Sequence, residues 1–257
     1  MERLQNPALQ KKEKAEFVKF KVEEQHEFPP YFKQMEKYNL EGPALLQGLP
    51  FPRLLSPVEF RAEIEKGAVV VDARMPHSFG GAHIGSSFSI WLESLPSFAG
   101  WVLPYDKTIL LVLEEEDKLE TAVRYLVRLG YDNIKGFLNG GIAAWYVEAF
   151  PIDGFNLISV HDLKAKLEKD KELVILDVRG QDEWDAGHIE GARHIYVGHL
   201  EESLDEVPEG CQVVVYCGTA RRSNIAASIL KKHGYAKVYN VLGSMAAWRK
   251  AGYEVVK

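Results

Sequence analysis

The stretch VVVYCGTARRSNIAASIL at residues 213–230 changes its hydrophobic pattern halfway along. It opens with four consecutive apolar or aromatic residues, which is typical of a short strand buried on both faces of a sheet. Small residues and two arginines follow, and from Ser223 onward the apolar residues recur at the spacing of a helix. A strand, a loop and a helix in this order predict a parallel sheet covered by helices.

The chain contains this pattern twice. VVVDARMPHSFGGAHIG (69–85) resembles VILDVRGQDEWDAGHIEG (174–191), and RLGYDNIKGFLNGGIAAW (128–145) resembles KHGYAKVYNVLGSMAAW (232–248). The period of about 103–105 residues is that of a duplicated domain rather than of a solenoid repeat. We therefore predict an α/β fold with two similar domains, each a mostly parallel sheet flanked by helices.

The predicted boundaries are an N-terminal arm or connector at 1–53, a first domain at 54–151 and a second domain at 156–257. Pro, Asp, Gly and Asn cluster between 151 and 156, which favours a linker there. The arm is predicted to begin with one charged helix over 6–25, and the prolines after it argue against a second long helix. We expect the arm to pack on the first domain, and it offers no catalytic residue.

The composition and charge of the chain argue against a nucleic-acid or membrane partner. The 257 residues are 46% hydrophobic and 26% charged, as in globular proteins, and the formal net charge is -6. An acidic chain gives no reason to expect a nucleic-acid or membrane partner. No apolar run approaches the roughly 18 residues of a membrane span, and the N-terminus lacks the order of a secretory signal. These features predict a cytoplasmic protein.

The chain has two cysteines, Cys211 and Cys217. If a strand separates them, their Cα atoms lie about 20 Å apart, which is too far for a disulfide. The eight histidines are scattered, and no Cys/His cluster has the spacing of a zinc site. The sequence therefore predicts no metal and no other cofactor.

Cys217 stands at the end of a predicted strand, where binding sites of parallel sheets lie. The small residues after it let the backbone curl with its N–H groups pointing inward. A helix N-terminus and two arginines add positive charge, so the loop favours a thiolate nucleophile and an anionic substrate. The predicted substrate-binding loop consists of Gly218, Thr219, Ala220, Arg221, Arg222 and Ser223. Cys211 lacks such neighbours and is predicted to be inert; the alternative for Cys217 is a buried, unreactive core residue.

The segment CGTARRS (217–223) resembles the active-site loop of the rhodaneses, sulfurtransferases whose usual pattern is Cys-x-x-Gly-x-Arg-Ser. Ala220 replaces the usual glycine. The segments LDVR (176–179), EWDAGHIEGARHI (183–195) and GSMAAW (243–248) also resemble the family. The likeness covers 156–257 strongly and 54–151 as a degraded copy.

The resemblance implies a reaction and a set of roles. Cys217 would take a sulfane sulfur from thiosulfate or a low-molecular-weight persulfide and pass it to a thiol or cyanide acceptor through a Cys217 persulfide. Arg222 would order the loop, and Arg221 would face the substrate. The structural support would come from Asp177, Arg179, Glu183 and His188, which match motif positions that tie strand ends to the loop.

A phosphatase and a sulfur-carrier or docking module are the alternatives to a sulfurtransferase. Phosphatases of related fold have a Cys-x5-Arg loop, but the sixth residue after Cys217 is Ser223 and the arginine comes one position earlier. The shorter loop favours sulfur over the larger phosphate. The remaining alternative is a sulfur-carrier or protein-docking module without independent turnover.

The first domain lacks these features. The repeat places Leu113 opposite Cys217, followed by Glu114, Glu115, Glu116 and Asp117, and this half contains no cysteine. Consecutive acids repel an anion. We predict that the first domain has no sulfurtransferase activity and serves in packing or partner contact.

The arm carries a second resemblance. ERLQNPAL (2–9) and PPYFKQMEKYNLEGPA (29–44) resemble the connector of fusion proteins that join a metallo-β-lactamase-type domain to tandem rhodaneses, several of them iron-dependent persulfide dioxygenases. No His-x-His-x-Asp-His motif occurs in this chain. The resemblance implies either a metallo-β-lactamase-type domain upstream or a chain that works without one.

Overall fold

The computed structural model describes residues 6–23, 28–46, 48–170 and 172–257. These residues form two five-stranded sheets in which every strand pairing is parallel, with helices on both faces. The predicted α/β fold with two similar domains is confirmed.

The arm contains two helices, α1 (Lys14–Glu23) and α2 (Tyr31–Glu41). The charged helix predicted over 6–25 is shorter, because a separate 3-10 turn forms at Pro7–Gln10. Within 1–53, residues 1–5, 24–27 and 47 lie outside the described part. The prolines flank α2 instead of interrupting it, so a helix of 11 residues forms where the sequence argued against a long one. Tyr31 Cδ1 lies 2.5 Å from the position that a Cβ would take at Gly100, so the arm packs tightly on the first domain.

The first sheet has the strand order β1-β5-β4-β2-β3. Its strands are β1 (Arg53–Leu55), β2 (Val69–Asp72), β3 (Phe88–Ser89), β4 (Ile109–Val112) and β5 (Ile134–Leu138). Its helices are α3 (Pro57–Glu65), α4 (Pro76–Gly81), α5 (Leu95–Val102), α6 (Leu119–Arg128) and α7 (Gly141–Val147). The apolar strands β2 and β4 lie inside the sheet because both of their faces are covered by helices.

The second sheet repeats the order as β6-β10-β9-β7-β8. Its strands are β6 (Asn156–Ile158), β7 (Val174–Asp177), β8 (Arg193–His194), β9 (Val213–Tyr216) and β10 (Val238–Val241). Its helices are α8 (Val160–Lys169), α9 (Gln181–Asp185), α10 (Arg221–Lys232) and α11 (Ser244–Lys250). α10 begins two residues before the predicted start at Ser223, because Ala220 adopts a left-handed conformation with φ 77° and turns the chain into the helix earlier.

The two domains share one hydrophobic core. A single cluster of buried residues includes Val71 and Leu111 from the first sheet and Leu176 and Val215 from the second. Two smaller clusters lie on the outer faces, one in each domain. The domains therefore bury apolar surface against each other as well as internally. In the described part of the chain, no helix is both long enough and apolar enough to cross a membrane.

Candidate active site

Cys217 directly follows β9, at the carboxyl end of the central strand of the second sheet. The residue is 1% exposed. Its N–H donates to Ser244 Oγ at 3.1 Å, and its carbonyl accepts from Met245 N at 2.9 Å. The start of α11 therefore fixes the backbone on both sides of the sulfur.

The loop after Cys217 keeps its backbone donors available. Gly218 O accepts from Ala246 N at 3.0 Å, which ties the loop to α11 through a carbonyl. Among the described residues, no acceptor takes the amide N–H of Gly218, Thr219 or Ala220. Successive free amides beside a helix N-terminus form a concave anion site. The loop can thus hold a negatively charged sulfur species next to Cys217.

Arg222 and Glu183 form a two-point ion pair over the loop. Arg222 Nη2 donates to Glu183 Oε1 at 2.8 Å, and Nη1 donates to Oε2. The hydrogen bond from Arg222 lowers the pKa of Glu183, although burial opposes it. Burial alone would lower the pKa of Arg222, but the hydrogen bond to Glu183 and the charge of Cys217 raise it. Arg222 therefore stays charged beside the sulfur, and its geometry is fixed by a bidentate partner.

The ion pair explains the glycine after the cysteine. A Cβ on Gly218 would lie 3.2 Å from Arg222 Nη2 and 3.7 Å from Glu183 Oε1. The first distance is tighter than an ordinary carbon contact, so a larger residue at 218 would push the guanidinium away.

Arg221 has a different environment from Arg222. It is exposed, and its guanidinium carbon lies 4.2 Å from the ring centroid of Trp91, which belongs to the first domain. This is a cation–π distance. The exposed edge of the site is therefore built by both domains.

Asp177 and Arg179 form a buried ion pair (the buckle) at the end of β7, the strand beside β9, and they are 0% and 3% exposed. Arg179 Nε and Nη2 lie 2.9 Å and 2.6 Å from Asp177 Oδ1 and Oδ2, and Nη2 also donates to Gly187 O at 2.9 Å. Burial disfavours the charge of Arg179, yet the hydrogen bonds that it donates to Asp177 raise its pKa overall. The buckle joins the end of β7 to the segment after α9.

The side chain of His188 contacts Trp184. Its Nδ1 lies 3.2 Å from Trp184 O, and its ring stacks on Trp184 with the centroids 3.4 Å apart. No hydrogen bond of the described residues joins His188 to Cys217. Its contacts support the same segment as the buckle.

The first domain repeats the buckle but not the loop. Arg74 Nε and Nη2 lie 2.9 Å and 2.6 Å from the carboxylate of Asp72, as in the second domain. Leu113 directly follows β4 and is buried, as Cys217 follows β9. The repeat places Ser78 where Glu183 stands and Lys118 where Arg222 stands. The first domain therefore lacks the nucleophile, the arginine and the carboxylate that holds it.

Sequence reasoning missed two residues of this region. Ser244, with φ 47° and 1% exposure, holds the N–H of Cys217. The available signal was a serine in GSMAAW where the family commonly has a second glycine. Trp91 gave no signal, because it lies in the domain without the cysteine and reaches Arg221 only through the domain interface.

Cys211 lies apart from this site, before β9. Its Sγ donates to Pro208 O at 2.9 Å, and it lines a separate cavity of ≈ 220 Å³ with His233 and Lys237. Both cysteines are free thiols. Within the described ranges, no group of three or more His, Cys, Asp or Glu side chains is placed to hold a metal ion.

Comparison with known proteins gives matches for both halves. The model of the rhodanese-like domain matches residues 56–148 and again 159–251. YrkF of Bacillus subtilis, whose name describes a candidate sulfur carrier protein, is 40% identical over 91 residues, which are 35% of this chain and 49% of YrkF. The thiosulfate sulfurtransferase GlpE of Coxiella burnetii is 32% identical over 84 residues, which are 33% of this chain and 78% of GlpE.

Among solved structures, a rhodanese-related protein of Thermoplasma volcanium is 26% identical with a TM-score of 0.37, over 40% of this chain and 98% of that one. The chain spans about half the length of YrkF.

Proposed function

The chain belongs to the rhodanese-like family through both of its domains, and from that premise we propose a sulfurtransferase with a single catalytic site at Cys217. The donor is thiosulfate or a low-molecular-weight persulfide, and the acceptor is a thiol or cyanide. The first domain, which we bound at 54–151, has no activity of its own. The second, at 156–257, carries the reaction, and 1–53 is the connecting arm.

The reaction has two displacements. The Cys217 thiolate attacks the sulfane sulfur of thiosulfate, the sulfur–sulfur bond of the donor breaks, and sulfite leaves with the electron pair. An acceptor thiolate or cyanide then attacks the outer sulfur of the Cys217 persulfide, and the Cys217 thiolate leaves. Both displacements keep negative charge on sulfur, which the free amides of the loop stabilise.

The observation that carries this proposal is the meeting of three features around one sulfur atom. Cys217 ends a central strand, the amides of Gly218, Thr219 and Ala220 have no acceptor among the described residues, and Arg222 is fixed by Glu183. A buried inert cysteine has no need of such a surrounding. The buried Asp177–Arg179 pair and the stacking of His188 on Trp184 support the structural roles that we propose for these residues.

A sulfur-carrier module is the second candidate. The likeness to YrkF and the 1% exposure of Cys217 favour it, since a shielded persulfide suits transfer to one dedicated protein. In this case Cys217 would load sulfur but would not turn over with small acceptors. We further propose a cytoplasmic setting, and the connector-like arm supports a persulfide-oxidising metallo-β-lactamase-type domain as a fused partner.

The test is thiocyanate formation from thiosulfate and cyanide, measured for the wild type, Cys217→Ser and Cys211→Ser. We expect Cys217→Ser to lose turnover and Cys211→Ser to keep it, because only the first removes the nucleophile. Mass spectrometry of the wild type after thiosulfate alone should show one added sulfur on Cys217. Loading without turnover supports the carrier, and equal turnover of all three proteins overturns the assignment.

A further inference from the structure

The face of α10 toward the first domain is unusually polar for a buried helix face. Ser223, Asn224 and Ser228 are 0%, 1% and 1% exposed. Burying such groups costs free energy unless each finds a hydrogen-bond partner. No buried side-chain nitrogen or oxygen in the described chain lacks one. The polar groups on this helix therefore belong to a closed network.

The network runs from the first domain to the start of α10. Ser89 N in β3 donates to Ser228 Oγ at 3.1 Å, and Asn224 Nδ2 donates to Ser89 Oγ. Asn240 Nδ2 in β10 donates to Asn224 Oδ1 at 3.0 Å, and Ser223 Oγ donates to Asn240 Oδ1 at 2.6 Å. Both ends of the Asn224 amide are occupied, so its orientation is fixed. The network joins a strand of one domain to the third residue of the helix that follows the catalytic loop.

Two further contacts hold α10 against the first domain near its ends. Arg221, the first residue of the helix, lies over Trp91, and Lys232, the last, has its Nζ 4.4 Å from the ring centroid of Phe88. The helix that begins at the loop is thus held along its length by a domain that has no nucleophile.

The network is confined to the half that contains the cysteine. At the matching positions of α6 and β5 the first domain has Leu119, Glu120 and Phe137. The position of Ser89, which pairs with Asp72 in the sheet, is occupied in the second domain by His194, which pairs with Asp177. The polar set is therefore specific to the helix that follows Cys217 and packs on β3 of the first domain.

We propose that the first domain positions the catalytic loop, and that the Ser89–Asn224 hydrogen bond is the contact through which it does so. This rests on the proposed function of Cys217. Ser89 and Asn224 act through the backbone of α10 and touch no reacting atom. A small rotation of α10 would move the loop amides and Arg222 relative to the Cys217 sulfur. Small misplacements of catalytic groups lower the rate of an enzymatic reaction strongly.

The test compares Ser89→Ala with Ser87→Ala. Ser87 is also a buried serine of the first domain, 2% exposed, but the hydrogen bond of its Oγ goes to Ile84 O and not to α10. We expect Ser89→Ala to lower kcat/KM for thiosulfate about tenfold, and Ser87→Ala to change it less than about twofold. The two thermal midpoints should fall by similar amounts. Equal kcat/KM values for the two variants overturn the proposal.

A double variant separates positioning from general damage. If Ser89 and Asn224 act through one bond, the loss of kcat/KM in the double variant Ser89→Ala/Asn224→Ala should be smaller than the two single-variant losses combined, even though Asn224→Ala also breaks the bond with Asn240. Additive losses overturn the assignment to that bond.

The rate of Cys217 alkylation by iodoacetamide, measured in a Cys211→Ser background, needs no turnover. We expect Ser89→Ala to slow it and Ser87→Ala to leave it unchanged, and an unchanged rate in Ser89→Ala overturns the proposal. If the wild type forms no thiocyanate but Ser89→Ala slows alkylation, the proposed function fails and the positioning stands.

Discussion

Gly218 leaves little room for a side chain beside the Arg222–Glu183 ion pair. In Gly218→Ala the new Cβ lies 3.2 Å from Arg222 Nη2, so the guanidinium must shift by a few tenths of an ångström. We expect thiocyanate formation to fall about three- to tenfold, with little loss of stability. The control is Gly180→Ala, whose Cβ meets the same carboxylate at an ordinary 3.9 Å. A fall of the same size in both variants would contradict this account.

Glu183 makes the loop sensitive to acid. Its pKa in the folded protein is lowered below the ordinary 4.5 by Arg222. A lowered pKa contributes stability that is present above the unfolded value and is lost as the pH falls through the folded value. We expect the urea midpoint of the wild type to exceed that of Glu183→Gln at about pH 7, and the gap to close below about pH 4.5. A gap that does not narrow as the pH falls below about 4.5 would show that the charge of Glu183 is not the cause.

At the residue scale, the sequence identified the candidates whose partners are local. Cys217, Arg221 and Arg222 were predicted from the loop sequence itself, whereas Asp177 and Arg179 were indicated by the resemblance. The partner of Arg222 is 39 positions away along the chain, and only the resemblance indicated Glu183. Ser244 and Trp91 could not be predicted from spacing, because each reaches the loop through tertiary packing.

At the element scale, the two buckles offer a matched pair of variants. Arg179→Ala and Arg74→Ala each leave a buried carboxylate without its partner, which costs about 3–5 kcal/mol. We expect similar drops in the free energy of unfolding by urea titration. Only Arg179→Ala should also lower sulfur loading of Cys217 at temperatures where both proteins remain folded, because only that buckle ends a strand paired with β9, which leads to Cys217. Equal loading in the two variants would show that the buckle serves the fold alone.

The residues at which helices α10 and α2 begin depend on backbone conformations that the residue types alone do not reveal. α10 starts at Arg221 because Ala220 lies at φ 77°, a conformation that costs an alanine about 1–2 kcal/mol and that only a fixed surrounding stabilises. α2 forms between prolines because Pro30 precedes its first residue, where a missing N–H does no harm. Strand and helix types were predictable from periodicity, whereas these starts were set by neighbours.

At the scale of the whole molecule, the shared core predicts one unfolding event. Phe60 is 0% exposed and lies in the outer cluster of the first domain, far from Cys217 in the chain. Phe60→Ala should cost about 3–5 kcal/mol. We expect calorimetry to show a single transition in both proteins, and the temperature at which Cys217 becomes rapidly alkylated to fall in parallel. Two transitions, or an unchanged alkylation temperature, would mean that the domains unfold independently.

The duplication was visible in the sequence, but the way the copies join was not. The sequence pattern predicts that Leu176 and Val215 are interior strand residues. The pattern is the same whether these residues face a helix of their own domain or the other domain. Apolar periodicity reports burial and not the identity of the covering surface. The count of domains was therefore predictable, and the single core between them was not.

The pairing of Arg222 with Glu183 determines which substitutions would be needed to build a catalytic loop into the first domain. Replacing residues 113–118 by CGTARR would introduce a cysteine and an arginine into the first domain. Ser78, however, stands at the position of Glu183, so this arginine would have no carboxylate to pair with. A catalytic loop in the first domain would also need Ser78→Glu to supply this carboxylate. A catalytic loop in the first domain would therefore need changes at two places that are far apart in the sequence.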